Sequence, residues 1–192
     1  MRKRITLLSL PVLALIIFLG LYFFDFSAQS SSQGPIQPVR FSHKIHAGMD
    51  NDQLPCQYCH SYVEVSPNPG IPSLKKCMGC HTHIVGRDVD YDFDGTTINI
   101  KNEIAQVREY WAKKEPIAWN KVNSMPGYVH FTHKRHIQRG FECKTCHGDV
   151  ANMNQVYQVN RLNMGFCIQC HTHNAKDQEE LTHLKDCLTC HY

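Results

Sequence analysis

CQYCH at Cys56–His60, CMGCH at Cys77–His81, CKTCH at Cys143–His147, CIQCH at Cys167–His171 and CLTCH at Cys187–His191 together hold all ten cysteines of the chain. CxxCH is the c-type haem attachment motif: the two thiols add to the haem vinyl groups, and the adjacent histidine reaches the iron from the proximal side. A disulfide framework requires no histidine after the second cysteine. A zinc ribbon uses CxxC but needs two further ligands per metal at a separate knuckle. Neither accounts for the fifth position of every pentad, so the expected cofactors are five covalently attached haem c groups. They would be bound through Cys56, Cys59, Cys77, Cys80, Cys143, Cys146, Cys167, Cys170, Cys187 and Cys190.

Five such groups dictate the fold class. Of 192 residues, roughly 30 are available per porphyrin once the apolar N-terminus is set aside, too few for an ordinary side-chain core. The haems would supply most of the buried apolar surface. The abundance of Gly, Pro, Asn, Asp and Thr between the pentads predicts short α-helices joined by long irregular connections. The expected architecture is therefore a mostly irregular multihaem cytochrome c fold organised around its cofactors, with one N-terminal transmembrane helix. The formal charge of +3 omits the haem propionates, which would contribute roughly −5 to −10 and leave an acidic holoprotein. Nucleic-acid binding is excluded on that ground.

The N-terminal helix is read from Ile5 to Phe24, an uncharged run of about twenty residues that suffices to span a bilayer. Arg2, Lys3 and Arg4 precede it and Asp25 follows, which puts the N-terminus in the cytoplasm and the pentads on the outer, periplasmic side. A cleaved signal peptide is the competing reading, with Ser27 and Ala28 near a possible site; the run exceeds the usual signal core of about 7–15 residues. The predicted organisation is a transmembrane anchor at 1–27, a flexible linker at 28–40, a first two-haem module at 41–83, a haem-free connector at 84–129, a second two-haem module at 130–175 and a fifth haem segment at 176–192.

The two modules follow from a repeat. FSHKIH at 41–46 recurs as FTHKRH at 131–136, and CHTH ends both copies, each pair displaced by 90 residues. Within the connector, Asp88, Asp90, Asp92 and Asp94 alternate before Gly95. This resembles the start of a calcium loop, but Lys101 stands where the closing Glu is needed, so a solvated Asp-Gly turn is expected. Ile104, Val107 and Trp111 then predict a packing helix from Asn102 to Lys114, stopped by Pro116.

The proximal iron ligands are expected to be His60, His81, His147, His171 and His191. For the distal side, His43/His46 and His133/His136 stand at i and i+3 on one face of a helical turn. Two imidazoles from one turn can serve two irons and hold their haems together. His183 is favoured as the fifth distal ligand, with Met164 as a thioether alternative that would raise its haem's potential. His83, His130 and His173 are read as surface or propionate-contacting histidines.

FSHKIHAG with CQYCH, GIPSLKKCMGCH, PIAWNKV, FTHKRH with FECKTCHG, and LNMGFCIQCH together resemble ActA, the pentahaem cytochrome c subunit of the alternative complex III. This is a class III type multihaem cytochrome family, and the similarity covers about 41–192. The resemblance implies an electron-transfer subunit of a quinol:electron acceptor oxidoreductase complex, without a catalytic site of its own. Its implied partners are an integral membrane quinol-binding subunit, an iron–sulfur subunit, and a monohaem cytochrome c or other soluble carrier. Two other function classes compete. A multihaem reductase needs an open iron, and the chain has no CxxCK variant. A NapC/NrfH-type quinol dehydrogenase shares the anchor and the haem count but lacks the FxHxxH pairs.

Overall fold

The computed structural model describes residues 34–192 together with Leu15, Ile16 and Phe18. Apart from those three positions, which are helical and exposed, the expected anchor lies outside the described residues. Among the described residues no helix is long and apolar enough to cross a membrane. The chain divides into Met1–Ser32 and Gln33–Tyr192, and the elements that carry the pentads belong to the second unit.

That unit is built of short helices and long connections, as its composition predicts. The first FxHxxH turn is α1 (His43–Ala47), followed by α2 (Cys56–Cys59) and α3 (Leu74–His81). A hairpin of β1 (Asp90–Phe93) and β2 (Thr96–Asn99) leads into α4 (Ile100–Lys113). The second copy runs through α5 (His133–Gln138), α6 (Cys143–His147), a 3-10 turn at Val150–Asn152 and α7 (Met164–Asn174). It is followed by α8 (Gln178–Leu184) and a 3-10 turn at Cys187–Thr189. Side chains build very little of the interior. Among the described residues only Val39, Val63, Met78 and Phe93 are buried apolar groups, and none of them is fully enclosed. Tyr58, Tyr62, Val65 and Ile71, all beside the first two pentads, are exposed. A chain of this length normally buries a continuous core, so this distribution matches a fold that cofactors complete.

The connector is the most regular part. Asp94 and Gly95 both take positive φ, 51° and 85°, as a two-residue hairpin turn requires, and Asp90 pairs with Asn99 at the open end. Asp92 accepts a hydrogen bond from the Gly95 N–H at 2.8 Å, Asp88 accepts from Asn99 and Lys101, and Asp94 accepts from Asn154. The acidic run is thus held by protein donors, and the described residues contain no His/Cys/Asp/Glu cluster able to hold a metal ion. The expected helix is present and begins two residues early, because Asn99 caps it by accepting from the Asn102 N–H. It packs on α3, where Arg108 donates to the His81 carbonyl at 3.1 Å. Gly86, at φ 79°, passes so near α4 that an added Cβ would stand 2.8 Å from Ile104 Cδ1.

Of the predicted linker at 28–40, residues 34–40 are held in place. Gln37 donates to the Asn120 carbonyl and accepts from its N–H at 2.8 Å, the Arg40 N–H donates to Glu103 at 2.9 Å, and Val39 is buried. Polar side chains that reach back over 60 to 80 residues of sequence turn a tether-like composition into an ordered strap.

The two repeat copies dock on each other reciprocally. The Lys44 N–H of α1 donates to the Met153 carbonyl at 2.9 Å, just after the first pentad of the second copy. Correspondingly, the His133 and Lys134 N–H groups of α5 donate to Pro67 and Ser66 at 3.0 and 3.2 Å, just after the first pentad of the first copy. Each FxHxxH turn therefore satisfies its free N-terminal donors on the other copy.

Candidate functional site

All ten cysteines are free thiols. In α2 and α6 the pentad forms a single helical turn, so its two cysteines at i and i+3 share a face. In α3 the pentad is the C-terminal part of a longer helix and in α7 it is the middle of one; Asn163 starts α7 by accepting from the Phe166 N–H at 2.9 Å. The fifth pentad is a 3-10 turn that Asp186 opens by accepting from the Leu188 N–H at 2.8 Å.

The imidazoles are oriented from behind. Nδ1 of His60 donates to the Gly70 carbonyl, that of His81 to Ile84, that of His171 to Leu184 and that of His191 to Tyr128, at distances of 2.8–3.1 Å. On the FxHxxH turns, His46 and His136 donate to the carbonyls four residues earlier, Ser42 and Thr132, at 2.8 and 2.9 Å. His133 donates to Pro67 at 2.8 Å. Fixing Nδ1 by a backbone acceptor leaves Nε2 free and aimed, the usual state of a metal-binding imidazole.

These imidazoles meet in pairs. Ring centroids of His46 and His81 are 6.1 Å apart, those of His133 and His147 are 6.2 Å apart with planes 5° from parallel, and those of His136 and His171 are 6.2 Å apart. Two imidazoles bound to one metal from opposite sides stand about 6 Å apart by centroid, since each metal–nitrogen bond is about 2 Å and the ring adds a little over 1 Å. The spacing therefore fits an iron between each pair. His43 shares α1 with His46, and its pKa is pushed down to about 4, chiefly by burial, with His60 and then His46 adding to the effect. Its Nδ1 is buried without a hydrogen-bond partner. Burial is also the main cause that lowers His46, His136 and His147, and the facing histidine contributes in each case. A lowered pKa keeps the imidazole neutral, which is the ligating form.

The phenylalanines of the repeat support these turns. Phe41 stacks on His46 at 4.5 Å and meets His43 edge-on at 4.9 Å; Phe131 does the same to His136 and His133 at 4.4 and 4.8 Å. The remaining histidines are placed differently. His173 donates to Gln169 of its own helix, and His83 is exposed. His130 stacks on Tyr192 at 4.4 Å while its N–H donates to the Cys190 carbonyl at 2.8 Å. His183 lies in the last turn of α8 and Met164 begins α7, both exposed; among the described residues the imidazole pairs include neither His183 nor His191, whose ring stands 5.7 Å from that of Tyr128. The residues 128–130 that cradle the fifth pentad carry no sequence signal for that role, since backbone groups supply most of the contact. The same holds for Gly70, Ile84 and Leu184. Asn154, which anchors the Ser42 hydroxyl at 2.7 Å, lies outside every motif.

Residues 129–192 match the family model described as cytochrome c7 and related cytochrome c. The chain is also 28% identical over 178 residues to the menaquinone reductase, multihaem cytochrome c subunit, of Nitratidesulfovibrio vulgaris strain Hildenborough, with 81% of this chain and 76% of that protein covered. Both likenesses support the same class of protein that the pentads indicate.

Proposed function

We propose that this multihaem c-type cytochrome carries five haem c groups and passes electrons between a quinol-oxidising membrane complex of the alternative complex III type and a periplasmic acceptor. The observation that carries the reading is the set of three imidazole pairs at 6.1–6.2 Å, each joining an FxHxxH turn to a pentad histidine. When bound, haem c supplies an iron that changes by one electron with no bond made or broken. The histidines would hold the irons and leave no coordination open to a small molecule: His43 with His60, His46 with His81, His133 with His147, His136 with His171, and His183 with His191, Met164 being the alternative to His183. Residues 1–27 anchor the chain, and the quinol site lies in a membrane partner, with an iron–sulfur subunit beside it and a monohaem cytochrome or other soluble carrier as acceptor.

The relative named a menaquinone reductase subunit supports a second direction of flow, from a periplasmic donor toward quinone. Membranes containing the holoprotein distinguish the two. Under the first reading added menaquinol reduces the haem bands, and the purified chain alone does not oxidise a quinol analogue. Under the second, a pre-reduced cytochrome is reoxidised by added menaquinone. Carbon monoxide binding to the reduced purified protein at stoichiometry would instead identify an open iron and a reductase.

A further inference from the structure

The pentads can be ordered in space by what lies between them. Within the first copy, α1 carries His46 toward His81 at a ring spacing of 6.1 Å, and the His46 carbonyl accepts from the Leu54 N–H, two residues before Cys56, at 2.8 Å, so the first and second sites share a turn. Lys76, next to Cys77, stands 4.5 Å over the ring of Tyr58 inside the first pentad. The second copy repeats the shared turn: through α5 the third and fourth sites are joined by His133 and His136.

The junction between the copies does not follow chain order. The second and third pentads are successive in sequence, separated by the hairpin and α4. Yet it is the first and third that meet. His133, whose ring pairs with that of His147 in the third site, stands on the loop that follows the first pentad. The backbone explains why. Each FxHxxH turn docks on the loop that follows the first pentad of the other copy, through Lys44 to Met153 and through His133 and Lys134 to Pro67 and Ser66. His133 adds its Nδ1 to the same Pro67 carbonyl at 2.8 Å. This reciprocal exchange places the leading pentads of the two copies, Cys56–His60 and Cys143–His147, back to back at the centre. At the far end His171 is held by the Leu184 carbonyl, three residues before Cys187, at 2.9 Å.

We infer that the five sites form one unbranched row in the order second, first, third, fourth, fifth, with the pentads Cys77–His81 and Cys187–His191 at its two ends. The inference rests on the five-haem reading given above. Electron donor and acceptor then meet the protein at those two ends, one around α3 and the other around the C-terminal 3-10 turn, and every electron crosses between the copies from the first site to the third.

Iron positions in crystals of the full-length, haem-loaded chain, located by anomalous scattering at the iron edge, test the order directly. The expected result is that the first-site iron is nearest to both the second and the third, and that the fifth-site iron is nearest to the fourth. A second-site iron closer to the third than the first-site iron is, or a fifth-site iron nearest to any site but the fourth, overturns the row. Paramagnetic resonance gives an independent readout. In holoprotein of the double variant Cys143→Ser, Cys146→Ser, spin coupling is lost at both the first and fourth sites, whereas Cys77→Ser, Cys80→Ser alters the first site alone. If the second variant disturbs the third site and the first variant leaves the first site unchanged, the order is wrong. An intact mass showing fewer than five haems in the native chain would break the five-haem reading instead, and the iron positions would still decide the order of those present.

Discussion

The two FxHxxH turns hold their aromatic rings in nearly the same geometry, with Phe41 4.5 Å from His46 and Phe131 4.4 Å from His136, but they are embedded differently. In the first, Ser42 is 3% exposed, caps α1 by accepting from the Ile45 N–H, and donates to Asn154, itself 6% exposed. Asn154 in turn accepts from the Tyr91 hydroxyl and donates to Asp94. In the second, Thr132 makes no capping hydrogen bond from its side chain. The first histidines differ as well: His133 is tied to Pro67, whereas His43 has a buried Nδ1 with no protein partner. One turn is thus fixed by a side-chain network that runs through Asn154 of the opposite copy to the hairpin, the other mainly by the backbone of the opposite copy. The lesson is that the repeat preserves what faces the cofactors, and that what stands behind the ligands is free to diverge.

The largest effect would come from removing what the two turns share. Protein matured without haem attachment retains only Val39, Val63, Met78 and Phe93 as buried apolar groups among the described residues, far too little to offset the conformational entropy of ordering the chain. Far-ultraviolet circular dichroism of the haem-free chain should show a largely unfolded protein, with no difference between the copies. A native-like helical spectrum without haem would break the view that cofactors form the core.

Single-ligand variants separate the two turns at the next level. His43→Gln and His133→Gln should each convert one haem in five to high spin, read by paramagnetic resonance. Only His133→Gln should also expose its docking bond, seen as faster hydrogen exchange at the Lys134 amide, because only His133 is tied to the other copy. Equal exchange in both variants would erase the distinction drawn between the turns.

Polar support behind the ligands should divide them in stability. Asn154→Ala leaves the Ser42 and Tyr91 hydroxyls without their acceptor, while Asp94 keeps the Gln155 N–H, a loss of about 1–3 kcal/mol for buried groups left unpaired. Ser42→Ala removes a helix cap, for which about 1 kcal/mol is typical, whereas Thr132→Ala should fall within about 0.5 kcal/mol of the parent. Denaturant midpoints of the three holoproteins give the ranking, and a Thr132→Ala cost equal to that of Ser42→Ala would show the turns to be equivalent.

How much of this was legible in the sequence depends on which groups carry the contact. The pentads, the repeat, the flanking phenylalanines and α4 were readable because side-chain chemistry or helical spacing marks them. The ordered strap at 34–40, the Asp94–Asn154 link and the reciprocal docking were not. They rest on backbone carbonyls and lone amides at large sequence separation, such as Met153 facing Lys44. The hairpin fell between these cases: Asp94-Gly95 announced the turn, while the polar strand residues Asp90, Asp92 and Thr97 gave no apolar alternation to announce the strands.

The smallest effect concerns the helices that brace each trailing pentad. In the first copy Arg108 of α4 donates only to the carbonyls of His81 and Thr82, so its hold contains no titrating acceptor. In the second, Arg139 donates to the Asn174 carbonyl and to both oxygens of Glu180 at 2.9 and 3.0 Å, binding α8 against the end of α7. Hydrogen bonds from Arg139 and then from the Lys176 N–H hold the Glu180 carboxyl below its ordinary value of 4.5. A carboxyl whose folded pKa is depressed stabilises the fold above its unfolded pKa, and that contribution is lost as pH falls through the folded value. Protection factors of the α8 amides, corrected for intrinsic exchange, should therefore drop modestly between pH 6 and pH 3, while those of α4 stay level. Glu180→Gln should show the lowered α8 protection already at pH 6 and no further change on acidification. A pH-dependent α8 in that variant would mean another group governs the brace, and the contrast between the two copies would then lie elsewhere than in this ion pair.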